Sequence, residues 1–119
     1  MGGPFFLLLL SLLPARLSSA HLEQEVSVVG IQGGSVTLTC QISGTTSTIV
    51  HWYRLQDGKP PERFIYFSLT SDIVRYDKGF NNNKFQALKD EFNARKNILH
   101  IKNLDVSDTA MYYCAVWDN

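Results

Sequence analysis

Cys40 and Cys114 are the only cysteines in this 119-residue sequence, so any disulfide within the chain must join them. They lie 74 positions apart, which is unlike the Cys-x-x-Cys spacing of a redox or zinc motif. The three histidines, His21, His51 and His100, are scattered, so no metal site is expected. Serine, histidine and aspartate all occur. The sequence has no nucleophile elbow, no His and acid paired on one strand and no phosphate-cradling loop, so it reads as non-enzymatic and free of cofactor. The chemistry left to these residues is covalent cross-linking, and that depends on the compartment.

The N-terminus decides the compartment. Phe5 to Leu13 is almost unbroken apolar sequence, and Ser18-Ser19-Ala20 supplies small residues for a cleavage site. Residues 1–20 therefore read as a secretory signal peptide, although Gly2-Gly3-Pro4 brings no positive charge to its start. The apolar run falls short of the ~20 residues needed to cross ~30 Å of hydrocarbon. No later segment is expected to cross a bilayer, so the chain is read as extracellular, reaching the cell surface through an anchor outside this sequence. Exported chains oxidise paired cysteines. Closing so long a loop should stabilise the fold by roughly 4 kcal/mol, against a net domain stability of about 5–15 kcal/mol. Eleven basic residues balance eleven acidic ones, which gives no electrostatic case for nucleic acid or an anionic membrane.

Residues 21–119 have the length of one domain. They read as short alternating runs separated by turns, with no helical stripe. Strands are expected at Glu25 to Ile31, Val36 to Cys40, His51 to Leu55, Phe64 to Phe67, Lys84 to Leu88 and Asn97 to Ile101. Lys89 to Lys96 reads as a charged, exposed stretch. Alternation also assigns faces. With Cys40, Trp52, Leu99 and Cys114 inward, the outward residues of one sheet are Thr37, Thr39, His100 and Lys102, all suited to water. On the other sheet they are Tyr53, Leu55 and Tyr113, with Pro61 in the adjoining turn. That greasy, aromatic face predicts a lateral partner. The sequence ends shortly after Cys114, and the strand carrying Cys114 is expected to have an open, aggregation-prone edge where a final strand would lie.

Cys40, Trp52, Asp108, Tyr112 and Cys114, in this order, resemble the variable-type immunoglobulin domain. The resemblance implies an all-β, two-sheet Greek-key sandwich with its final strand missing. It also implies that Trp52 packs on the bridge, and that Tyr112 forms a tyrosine corner beside Leu99 in the core. His51-Trp52-Tyr53, Gly58-Lys59-Pro60-Pro61-Glu62-Arg63 and the ending Tyr112-Tyr113-Cys114-Ala115-Val116-Trp117-Asp118 are similar to T-cell receptor gamma chain variable segments. That family implies a structural ion pair between Lys84 and Asp108. It implies pairing with a delta chain variable domain through Tyr53, Leu55, Pro61 and Tyr113, and signalling subunits engaged only through a constant region absent here. Three antigen-facing loops would carry Thr46, Ser47 and Thr48, then Ser68, Leu69, Thr70 and Ser71, then Val116 and Trp117. The antigen class is not encoded in these motifs. Leu55 departs from the family pattern, since relatives often place there a Gln that bonds across the pairing axis. The other readings are an antibody light chain variable segment and a stand-alone variable-type receptor domain.

Overall fold

The computed structural model describes residues 4–9, 21–24 and 27–117. In chain order the strands are β1 (Pro4–Leu9), β2 (His21–Gln24), β3 (Ser27–Ile31), β4 (Val36–Ser43), β5 (Ile49–Leu55), β6 (Glu62–Ser68), β7 (Val74–Tyr76), β8 (Phe85–Lys89), β9 (Lys96–Ile101) and β10 (Met111–Ala115). They form a four-stranded sheet in the order β2-β4-β9-β8 and a six-stranded sheet in the order β3-β1-β10-β5-β6-β7. This is the all-β variable-type sandwich implied by the sequence. Its one helical element among the described residues is the 3₁₀ turn Val106–Asp108.

Two elements differ from the sequence reading. In place of one strand from Glu25 to Ile31, β2 pairs with β4 in one sheet and β3 pairs in the other. Residues 25 and 26 lie outside those described. The three-residue β7 pairs with β6 and is a strand the sequence reading did not assign. The expected open edge of β10 is also corrected for this chain. β1 runs parallel to it, setting Leu8 beside Met111 and Leu9 beside Tyr112, and pairs antiparallel with β3. Unpaired edge groups recruit whatever extended segment is at hand. β1 comes from the stretch read above as a signal peptide.

Between the sheets lies one core, in which Cys40 is bonded to Cys114 across a Cα–Cα distance of 6.4 Å. Trp52 is the cross-strand neighbour of Cys114 and is fully buried with Leu38, Phe64, Leu99, Ile101 and Tyr112. β4 and β9 face the core with alternate residues, which is why their pattern is visible in sequence. The Trp52 indole N–H donates to Asn97 Oδ1 at 2.6 Å, and Asn97 Nδ2 donates to the Leu88 carbonyl at 2.7 Å. A fully buried amide thus satisfies the polar edge of the Trp that packs beside the disulfide. Asn97→Leu leaves that indole N–H without a partner and should cost about 1–3 kcal/mol. Chemical denaturation would check it, since an unchanged midpoint would mean the relay contributes nothing.

Candidate pairing and recognition surfaces

The outward residues of β5 and β10 form cross-strand pairs, because antiparallel register sets them opposite one another. Tyr53 pairs with Tyr113, and their rings stack at 5.4 Å between centroids. Burial, with the Tyr53 hydroxyl nearby, raises the Tyr113 phenol above its ordinary range. Below them Leu55 pairs with Met111. Both pairs are half-buried at the surface, outside the core, while Pro61 is exposed in the adjoining turn. The result is an apolar column along the outside of the six-stranded sheet.

Above this column lies a cluster that sequence reasoning missed. His51, on the same face, is only 6% exposed. Its ring stacks on Trp117 at 3.6 Å and lies 5.9 Å from Tyr66. Arg63 makes two 2.9 Å bonds to Asp77, sits over the Tyr66 ring and brings Nη1 to 3.2 Å from His51 Nδ1. A guanidinium can only donate, so Nδ1 accepts and Nε2 carries the imidazole hydrogen. Burial, and then the Arg63 charge, lower the His51 pKa to about 4, with Asp77 acting in the opposite sense. The free imidazole would titrate near 6.5, so the unfolded chain takes up a proton first. His51 should therefore remove about 3 kcal/mol of stability as pH falls from 6.5 to 4, with none lost above that window. Denaturation at pH 7 and pH 4 checks this, and the acid sensitivity should shrink in His51→Gln.

The opposite sheet is more mixed than its sequence suggested. Thr37 and His100 share a 2.8 Å hydrogen bond on its outer side, as suits a wet face. Leu88 and Ile98, however, are cross-strand neighbours there and are half-buried. The two faces differ in degree, and among the described residues the aromatic column lies on the six-stranded sheet.

At one end of the sandwich are the connections between β4 and β5 and between β6 and β7, together with the residues after β10. Thr46, Thr70 and Ser71 are exposed there, and Ser47, Thr48 and Ser68 are half-buried. Leu69 requires a correction. It is 3% exposed and part of the core, and its N–H donates to the Thr48 carbonyl at 2.8 Å, so it supports the loops from beneath. Val116 also packs against the core, while Trp117 is 47% exposed at the rim despite its stack on His51. The charged stretch after β8 is a braced turn. Asn93 donates to Gln41 Oε1 at 2.8 Å, Arg95 to the Thr45 carbonyl at 2.8 Å, and Lys89 to the Leu69 carbonyl at 3.2 Å. On this framework Phe92 stands 91% exposed. Its charged neighbours conceal it in sequence.

At the other end Lys84 Nζ donates to Asp108 Oδ2 and to the Asn103 carbonyl, both at 2.7 Å. The same Asp108 oxygen accepts from the Asp105 N–H at 2.9 Å, which closes a capping box on the 3₁₀ turn. The Tyr112 hydroxyl donates to the Asp108 carbonyl at 2.7 Å. Burial beside the Asp108 charge raises the Tyr112 phenol far above its ordinary range. This end is a brace, and its groups are consumed by one another.

Among the described residues, no group of His, Cys, Asp and Glu is placed to hold a metal ion, and no helix is long and apolar enough to cross a membrane. The chain matches the Immunoglobulin V-set domain family over residues 23–119. It is 34% identical to human T cell receptor gamma variable 4, over 93% of both chains. It is 33% identical to human T cell receptor gamma variable 3, over 99% of both. A solved structure titled Marsupial T cell receptor shares 54% identity with a TM-score of 0.81, covering 86% of this chain and 47% of that one. A second structure of the same title shares 34% identity with a TM-score of 0.75. The chain thus spans about half the length of these solved receptor chains.

Proposed function

We infer the function from one premise: the chain belongs to the immunoglobulin V-set family, among the T cell receptor gamma variable segments. It is an antigen-recognition variable domain, and its work is binding, without catalysis. Our proposal is that it docks laterally on a delta chain variable domain through the outer face of β5 and β10. Docking presents the loop end, with Thr46, Thr70, Ser71 and Trp117, to antigen. Residues 1–20 direct export, and a constant region outside this sequence carries the signalling subunits and the membrane anchor.

The observation that supports pairing most is the stacked Tyr53–Tyr113 pair continuing into Leu55–Met111. Aromatic residues with few charges are what interface cores concentrate. Large residues near the centre of such a patch carry most of the binding energy. Tyr53→Asp with Tyr113→Asp should therefore abolish co-purification with a delta chain while the domain still folds, because both side chains lie outside the core. Gel filtration and thermal melting of the co-expressed chains test this together. Undiminished pairing by a folded double variant would remove this face from the interface.

A further inference from the structure

The turn between β5 and β6 holds the only Asp-Gly pair of the sequence, Asp57-Gly58, and no Asn-Gly pair occurs in it. Both residues are exposed. Gly58 takes a φ of 73°, a left-handed conformation that glycine adopts without strain. A Cβ built there would meet nothing within 4 Å, so the space beside it is open. Among the described residues, the Asp57 carboxylate has no ion pair or hydrogen bond, and the Gly58 N–H has no acceptor. The shoulders of the turn, by contrast, are held. The Lys59 N–H donates to the Gln56 carbonyl at 3.0 Å, and Gln56 Nε2 donates to the Ser107 carbonyl at 2.7 Å. Pro60 and Pro61 then fix the backbone that leads into β6.

We propose that Asp57 is a site of spontaneous isoaspartate formation, a covalent modification that rebuilds the rim of the pairing face. The Gly58 nitrogen attacks Cγ of the neutral Asp57 carboxyl and forms a C–N bond. The carboxyl hydroxyl leaves with the amide proton as water, and no side chain on Gly58 crowds the five-membered succinimide. Water then adds to one of the two ring carbonyls and breaks its C–N bond. Opening at the main-chain carbonyl leaves the chain running through Cβ and Cγ, with the old carbonyl now a free carboxylate. The water lost is regained, so the mass is unchanged and no oxidant or co-reactant is consumed. The backbone, however, is longer by one methylene. With Gln56 tethered and the prolines rigid, the turn itself must absorb that atom, which draws Lys59 away from the Gln56 carbonyl. Leu55, Asp57, Gly58, Lys59 and Met111 line an open groove of about 610 Å3 just below the Tyr53–Tyr113 stack. The altered turn therefore weakens docking, a consequence that rests on lateral pairing as proposed above.

The test ages the complete, unpaired receptor chain at body temperature, then treats it with an L-isoaspartyl methyltransferase and a labelled methyl donor. Peptide mapping should find label accumulating on the peptide that contains Asp57. The label should be lost in Asp57→Glu, whose longer side chain would have to close a six-membered ring. Melting of that variant establishes that the domain remains folded. An unlabelled Asp57 peptide, or label that persists in Asp57→Glu, overturns the site. The aged chain is then offered a limiting amount of delta chain, and isoaspartate should be depleted from the assembled fraction. Equal isoaspartate in the assembled and unassembled fractions overturns the effect on docking while leaving the modification standing. Failure of the fresh chain to assemble overturns lateral pairing and leaves the chemistry at Asp57 untouched.

Discussion

Replacing Cys40 and Cys114 together with alanine should lower the unfolding free energy by about 4–5 kcal/mol, the loop-entropy value for a bridge of this span. The bond closes a loop of 74 residues that contains most of the sandwich. Without it the unfolded chain regains freedom, while the folded state keeps its sheets and loses two buried sulfurs. Two other contributions bear on the magnitude. Both cysteines are fully buried in the core between the sheets, with Trp52 on one and Leu99 on the other, so alanine also leaves a small void. The Trp52–Asn97 relay is independent of the sulfurs and should persist, holding β5 against β9. The expected outcome is a chain that still reaches a native-like fold at low temperature but unfolds at far lower denaturant. Guanidinium titration of the oxidised, reduced and double-alanine forms measures this. Coincident midpoints would show that the bond adds nothing beyond the packing around it.

How much of this could be read from the residues follows from where water lies. β4 and β9 have one dry face and one wet one, so Val36, Leu38, Cys40, Leu99 and Ile101 stand out by alternation. β5 and β6 carry large aromatic or aliphatic side chains on both faces, and there period two carries less information. A register shift between Trp52 and Tyr53 breaks the parity further. It lets Phe64 and Ile65 both be fully buried in succession and sends Arg63 to the outer face. The Arg63–His51–Asp77 cluster was invisible for that reason, since its members sit on different strands and loops and meet only through pairing. Leu69 was misplaced because its polar neighbours mark a loop, and loops are read as exposed. The residue that anchors a loop from beneath is necessarily the apolar one within it. Tyr53, Leu55 and Tyr113 were legible on the outer face because their strand positions are fixed by two landmarks, Trp52 and Cys114.

Asp108→Ala should cost about 3–5 kcal/mol, the range for stranding one member of a buried ion pair. Asp108 is 4% exposed and its carboxylate serves two donors, the Lys84 ammonium and the Asp105 N–H. Alanine removes the oxygen that both donors share and opens the capping box of the turn that leads into β10. The Lys84 side chain is 29% exposed, so its ammonium can recover water. This places the loss near the lower end of the range. Asp108→Asn separates the contributions, because a carbonyl oxygen can still cap Asp105 while the charge is gone. Lys84→Met is the sharper case, for it leaves a nearly buried carboxylate with only neutral donors around it. It should destabilise at least as much as Asp108→Asn, and the pair Lys84→Met with Asp108→Leu should recover part of the loss. Apolar replacement of both partners avoids the desolvation that opposes every buried pair. A double-mutant cycle from urea denaturation reads the coupling directly. A value under about 1 kcal/mol would mean that the pair behaves as a solvated one, and that the lower end of the sandwich is held by Tyr112 and the core alone.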